Sequence, residues 1–270
     1  MRQKKLFLLI FLCMGLLVTC VTNPLTGQNT MALVSNKELF AASFQQYSQF
    51  LSENKVITGT EDAKMVERIG VNIRRAAEKW LASEGKSSYL KDYKWEYRLV
   101  DSKEINAWCM PGGKIVVYTG ILPLTKTEDG LATVMGHEVA HALLNHGQQR
   151  VSASLLQQIG MVGVAIAVSG QSKESQALLL TAYGVGSTLF GTLPFSRQHE
   201  SEADHYGLIL MATAGYNPEA SVQFWQRMAA KGSGVPEFLS THPSHKTRIQ
   251  QLKKSIPVAK RKAAQLNRSR

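Results

Sequence analysis

Cysteine is scarce in this chain. Its 270 residues hold three: Cys13, Cys20 and Cys109. The first two lie in or just after an apolar leader, so Cys109 stands alone in the body and no intramolecular disulfide framework is available. Core packing, alone or with a bound metal, must therefore stabilise the fold. The chain has no glycine-rich phosphate loop and no RNA-binding aromatic motif, which argues against nucleic acid as a partner. It has no internal repeat. Acid is missing from the last stretch, KKSIPVAKRKAAQLNRSR, which carries 7 basic residues in a chain of net charge +11. The expectation for 256–270 is a solvated, frayed basic tail, with binding to nucleic acid or anionic lipid as the alternative.

Long apolar runs are also few. LFLLIFLCMGLLV, 13 uncharged residues after the basic MRQKK, is too short for a comfortable membrane span and suits a signal-peptide core. It ends at Leu17-Val18-Thr19-Cys20. A cysteine here resembles a bacterial lipoprotein cleavage site, although Thr19 departs from the usual Gly, Ala or Ser. The expected organisation is a signal peptide over 1–19, lipidation at Cys20, a tether or docking arm over 20–35 and one domain over 36–255. Plain secretion and an uncleaved anchor are the alternatives; all three place the body outside the cytoplasm. Val21 lacks the Asp that often retains lipoproteins at the inner membrane, which points to the outer membrane. The runs 154–169 and 177–195 carry glycines and small residues, and read as buried helices, with a membrane-leaning hairpin as the other reading.

What is present is a globular composition, 44% hydrophobic and 19% charged. Leu39, Phe40, Phe44 and Tyr47, then Met65, Ile69 and Ile73, recur at helical spacing on either side of Gly59-Thr60. YKWEYRLV (93–100) alternates as a strand does, and INAWCM (105–110) and KIVVY (114–118) follow across a Pro111-Gly112-Gly113 turn. Helices are expected over 128–147, 196–215 and 218–231. The fold class is α+β, mainly helical, with a small antiparallel sheet.

Residues 136–141 read GHEVAH. Helical residues four apart differ by about 40° in direction, so His137 and His141 can face one ion. Glu138 lies at the edge of the same face, where it can reach a water as a base without binding the metal. His146 would lie about 180° from His137 on a continuous helix and is set aside as a ligand. The H-x-x-G-x-x-H continuation is absent, because Leu144 and Gly147 occupy its glycine and histidine places. Downstream, SRQHESEAD puts Glu200 and Asp204 on one helical face, while Glu202 points elsewhere. One of the two carboxylates can bind the ion and the other can accept the free N–H of a ligand histidine. His199, His205 and His245 read as structural or exposed.

GHEVAH and SRQHESEAD, with NAWCMPGGKIVVYTGIL upstream and THPSHKTRI near the end, resemble the HtpX and CAAX-prenyl-endoprotease type of zinc metallopeptidase, in its soluble lipoprotein branch. The similarity spans about Pro24 to Leu252. It implies a thermolysin-like (gluzincin) core, one Zn2+ held by His137, His141 and Glu200, Glu138 as base, and Asp204 behind the ligands. It also places His242 and Arg248 near the zinc. His242 would donate to the oxyanion, and Arg248 would orient a carboxylate or the substrate backbone. Asn106 and Ala107, on a strand near the active helix, would pair with an extended peptide. The function so implied is a cell-envelope endopeptidase acting on unfolded or misfolded envelope proteins in quality control. CAAX processing is not expected, because the membrane core of those enzymes is missing. The rival readings are a zinc-dependent chaperone-like protein and a structural lipoprotein, both without turnover. Cys109 is expected to be a small buried hydrophobe, with a redox switch as the alternative.

Overall fold

Local signals set most element boundaries in a computed structural model of the chain, which describes residues 20–167, 169, 173, 196–231, 238–239, 242 and 247–268. The leader 1–19, the apolar run 177–195 and His245 lie outside the described residues. Helix α1 (Asn36–Glu53) starts with a reciprocal cap, in which Ser35 Oγ accepts from the Glu38 amide and Glu38 accepts from the Ser35 amide. Helix α2 (Glu61–Ser83) starts where Gly59 takes φ +75 and Thr60 caps the Ala63 amide. Its buried residues Val66, Ile69, Ile73, Ala77 and Trp80 repeat at three and four, the mark of one helix face on a core.

The arm before α1 is part of the fold. Strands β1 (Cys20–Thr22) and β2 (Asn29–Met31) form an antiparallel hairpin. Within it Asn23 is 1% exposed and its amide donates to the Leu143 carbonyl at 2.9 Å. Of the two readings of 20–35, the structure has the docking arm.

The sheet differs from expectation. It contains β3 (Val56–Ile57), β4 (Glu96–Val100), β5 (Ala107–Met110) and β6 (Lys114–Tyr118) in the order β3-β4-β6-β5. The β5–β6 and β3–β4 pairs are antiparallel, but β4 and β6 run parallel, so the sheet is mixed. The reason is the order of insertion. The Pro111-Gly112-Gly113 turn folds β5 to the outside of β6, and β6, reached by way of that hairpin, lies beside β4 in the same direction. Both turn glycines have φ near +90, and a Cβ on Gly113 would come within 2.7 Å of the Trp95 ring. Strand alternation then divides two cores: Leu99, Ile115 and Val117 face the main one, while Val100 and Val116 face Tyr47 of α1.

Five further helices of ten or more residues are described: α3 (Glu128–Leu143), α4 (His146–Ala167), α5 (Arg197–Thr213), α6 (Ala220–Ala229) and α7 (Arg248–Arg268). Thr127 caps α3, and every residue from Gly130 to Leu143 is buried. The helix stops earlier than Gly147: Asn145 adopts φ +57 and a new helix begins at His146. No helix among the described residues is long and apolar enough to cross a membrane.

The basic C-terminal run is helix rather than a frayed tail. Ile256, Ala259, Ala263 and Leu266 are buried along one face of α7, and packing carries the helix through Pro257. Two of its charges find partners within the chain: Lys260 pairs with Glu219 at 2.6 Å and Lys262 with Glu84 at 3.1 Å.

Candidate metal centre

Two helices build the site, and two glycines let them meet. A Cβ on Gly136 would lie 2.9 Å from the Gly207 carbonyl oxygen, and one on Gly207 would lie 2.9 Å from the His137 amide nitrogen. With hydrogen at both positions the backbones of α3 and α5 touch. That contact carries His137 and His141 against Glu200 and Asp204. His242, from the segment after α6, completes the group: ligand atoms of His137, His141, Glu200 and His242 all lie within 4.8 Å of one another, and all four residues are buried.

The spacing fits a tetrahedral ion. Ligand atoms ~2.0–2.1 Å from zinc lie about 3.3 Å apart. Here His137 Nε2 is 3.0 Å from His141 Nε2 and 3.4 Å from Glu200 Oε2. His141 Nε2 is 3.3 Å from Glu200 Oε1. His242 Nδ1 is 3.2 Å from His137 Nε2 and 3.0 Å from Glu200 Oε1. The outer atoms fix which lone pairs point inward. His137 Nδ1 is 3.0 Å from Asp204 Oδ1, so a proton belongs there, and in the neutral ring Nε2 faces the cluster bare. Converging imidazole lone pairs and a carboxylate, buried together, suit a borderline-soft cation such as zinc.

Arg248 organises the carboxylates. It is 1% exposed, donates from Nη1 to Glu200 Oε2 at 2.9 Å and from Nη2 to Asp204 Oδ1 at 2.6 Å, and lies 3.4 Å over the Trp225 ring. Its guanidinium is thus buried against the two carboxylates. Asn106 and Ala107 sit at the start of edge strand β5. The carbonyls of Asn106 and Met110 are taken by amides on the β6 side, so by ladder alternation the backbone groups of Ala107 and Cys109 turn outward while those of Trp108 face β6. Ala107 is 1% exposed, and its outward N–H is held at 2.9 Å by the Asn106 side chain. Neither residue joins the metal cluster. Cys20 is exposed at the start of β1.

The electrostatics follow from burial and these partners. Burial disfavours a charged His137, but the Glu200 carboxylate and the Asp204 hydrogen bond outweigh it and raise its pKa to about 9. Burial holds His141 well below the usual histidine value. Glu200 stays far below the carboxylate range: burial opposes this, but His137 and hydrogen bonds from three histidines prevail. Glu138 is 2% exposed and burial raises its pKa, with His242 and His137 opposing. Its Oε1 has no hydrogen-bond partner among the described residues and lies 3.4 Å from His242 Nε2. Burial, then the charge of Glu138, pushes the Cys109 thiol well above its usual pKa, which disfavours the thiolate.

Spacing arithmetic missed His146 and Glu202. His146 is fully buried with Nδ1 2.9 Å from His141 Nδ1, and its Nε2 is 3.1 Å from Glu202 Oε2. The rotation that set His146 aside assumed one continuous helix, and the turn at Asn145 breaks that assumption. It is still no member of the ligand cluster, because it meets the back of the His141 ring. His199 stacks on the His146 ring at 4.2 Å, and His205 is half-buried.

Comparison with known proteins agrees with this geometry. The chain is 37% identical over 177 residues to mitochondrial metalloendopeptidase OMA1 of Schizosaccharomyces pombe, covering 64% of this chain and 50% of that protein. It is 31% identical over 247 residues to human mitochondrial metalloendopeptidase OMA1, covering 88% and 46%. It is 30% identical over 165 residues to the beta-barrel assembly-enhancing protease of Escherichia coli K12, covering 57% and 33%. The chain thus spans about half the length of the OMA1 relatives it matches, and these relatives do not single out the HtpX and CAAX branch. Residues 72–256, which hold the whole cluster with Asp204, Glu138 and Arg248, match the family model, and the chain belongs to peptidase family M48.

Proposed function

We propose that this chain is a zinc-dependent endopeptidase. The observation that carries the reading is the convergence of His137 Nε2, His141 Nε2 and a Glu200 oxygen at tetrahedral spacing, with the buried Glu138 carboxyl, its Oε1 without a hydrogen-bond partner among the described residues, beside them. His137, His141 and Glu200 would hold the ion. When bound, zinc supplies Lewis acidity, polarising a carbonyl and making water acidic enough to ionise near neutral pH. Asp204 and Arg248 hold His137 and Glu200 in place. Glu138, with its pKa raised by burial, takes the proton of the attacking water and returns it to the leaving amine. His242 Nδ1 occupies the fourth corner of the cluster, and a catalytic site needs that corner open. Turnover would then require the His242 ring to move off the ligand group, where it could donate to the oxyanion.

The substrates in this reading are unfolded or misfolded proteins of a bacterial cell envelope, reached in extended form along the outer edge of β5 at Asn106 and Ala107. The leader ending at Cys20 and the exposure of that residue support lipid anchoring, with the domain facing the periplasm, and Val21 in place of Asp favours the outer membrane.

The test uses the chain from Val21 onward, as wild type and Glu138→Gln. Bound zinc and digestion of an unfolded protein are measured with and without chelator. The expected result is about one zinc in both and cleavage by the wild type alone. Zinc in both without cleavage favours a zinc-binding, chaperone-like protein. No zinc in either removes the peptidase reading.

A further inference from the structure

Behind His141, on the side away from the ligand cluster, two polar residues form a line that the zinc peptidase reading leaves unused. His141 Nδ1 faces His146 Nδ1 at 2.9 Å, and His146 Nε2 faces Glu202 Oε2 at 3.1 Å. Gln198 donates to the other Glu202 oxygen at 2.9 Å. His199 stacks on the His146 ring at 4.2 Å with an interplanar angle of 18°. Its own Nε2 lies 3.2 Å from Gln149 Oε1.

With both buried rings neutral, only one placement of protons satisfies this line. His141 carries its proton on Nδ1 and donates it to His146 Nδ1. His146 carries its proton on Nε2 and donates it to Glu202. The His141 Nε2 lone pair is then bare and faces the cluster. In the opposite placement His146 Nε2 would turn a lone pair on the Glu202 carboxylate, and His141 would point an N–H at the ion. Ligand histidines usually hand their outer N–H to a carboxylate, a carbonyl or water. Here a second histidine stands between.

We propose that His146 and Glu202 are positioning residues for the metal centre, a two-member relay that fixes the tautomer and ring direction of His141. This proposal rests on the zinc peptidase reading and extends it outward to the half-buried Glu202. His137 is set differently, by Asp204 and Arg248, so the two imidazoles of one motif are aligned by independent devices.

The test measures zinc affinity by chelator competition for the full chain and for Glu202→Ala, His146→Leu and His146→Gln. Thermal melts of the metal-free proteins accompany it, with the visible spectrum of the cobalt-substituted forms. Glu202→Ala and His146→Leu should weaken zinc about 10–100-fold and shift the cobalt bands. His146→Gln, which can accept at one end and donate at the other, should recover most of the loss. A merely structural role would lower the metal-free melts of His146→Leu and His146→Gln alike and leave the cobalt bands in place. Glu202 is partly exposed, so its variant should melt as the wild type does when metal-free. Zinc affinity of both Glu202→Ala and His146→Leu within about twofold of wild type would overturn the relay and leave the peptidase reading standing. A wild type without zinc would remove both.

Discussion

Replacing Gly207 with alanine puts the helix contact beneath the metal centre to a direct test. The new Cβ would lie 2.9 Å from the His137 amide nitrogen and 3.0 Å from the Gly136 carbonyl carbon and from His137 Cα. All three are backbone atoms, which cannot rotate away. Ordinary contact begins at 3.4 Å, so α3 and α5 must separate by about half an ångström or distort. Overpacking of this kind costs about 1–3 kcal/mol. At roughly 2–4 °C per kcal/mol for a chain of this size, the melting temperature should fall by about 2–12 °C. The same separation acts on the donor atoms. His137 Nε2 and Glu200 Oε2, now 3.4 Å apart, come from the two helices that are pushed away from each other. They now sit close to the about 3.3 Å edge of a zinc tetrahedron and would be drawn well past it, so zinc affinity should fall about tenfold or more. Thermal melts with chelator isolate the packing loss. Melts with excess zinc and a competition titration add the loss at the metal. A variant that melts and binds zinc as the wild type does would refute the claim that this contact sets the donor spacing.

Four other outcomes follow from the site. Asp204→Asn removes the anion that holds the His137 Nδ1 proton, and chelator competition should show zinc about 10–100-fold weaker. Arg248→Met leaves Glu200 and Asp204 buried without their cation; denaturant unfolding of the metal-free protein should lose about 3–5 kcal/mol, and unchanged stability would show the carboxylates compensated elsewhere. His242→Ala should still bind about one zinc, since His137, His141 and Glu200 remain. Its cleavage rate then separates the roles of the ring, a fall marking the oxyanion donor and a rise marking a blocking ligand. Metal-free stability should depend on pH. The folded pKa of His137 is raised to about 9, so its contribution is full below about 6.5 and lost as pH rises towards 9. His141, shifted the other way, destabilises the fold below its unfolded value. Metal-free melts should therefore peak near pH 6.5 and decline towards 9, and a melting temperature that climbs across that window would contradict the assignment.

How much of this was legible in the sequence depends on whether one element or two were needed. His137, Glu138 and His141 share a single helix, and fixed rotation per residue is enough to place them. Glu200 and Asp204 were legible for the same reason, as was the pointing away of Glu202. What lay at meetings between elements was not. Gly136 and Gly207 look like any helical glycines until the two backbones touch. His146 could be placed only by knowing that Asn145 enters the left-handed region and restarts the helix. Alternation identified three strands, but strand order depends on which side the hairpin folds, and alternation does not carry that information. In α7 the apolar spacing of Ile256, Ala259, Ala263 and Leu266 was obscured by basic residues and by Pro257.

The docked arm sets a working radius. Asn23 is locked to the end of α3, so only about three residues separate the Cys20 side from a fixed point on the domain. Extended, they span about 10 Å. If Cys20 carries the lipid, the leash has almost no slack, and the cleft must work within a shallow layer above the bilayer. Substrates would then be sorted by where they lose their structure as much as by their sequence. Lengthening the chain between Val21 and Asn23 would widen the zone patrolled without altering the chemistry.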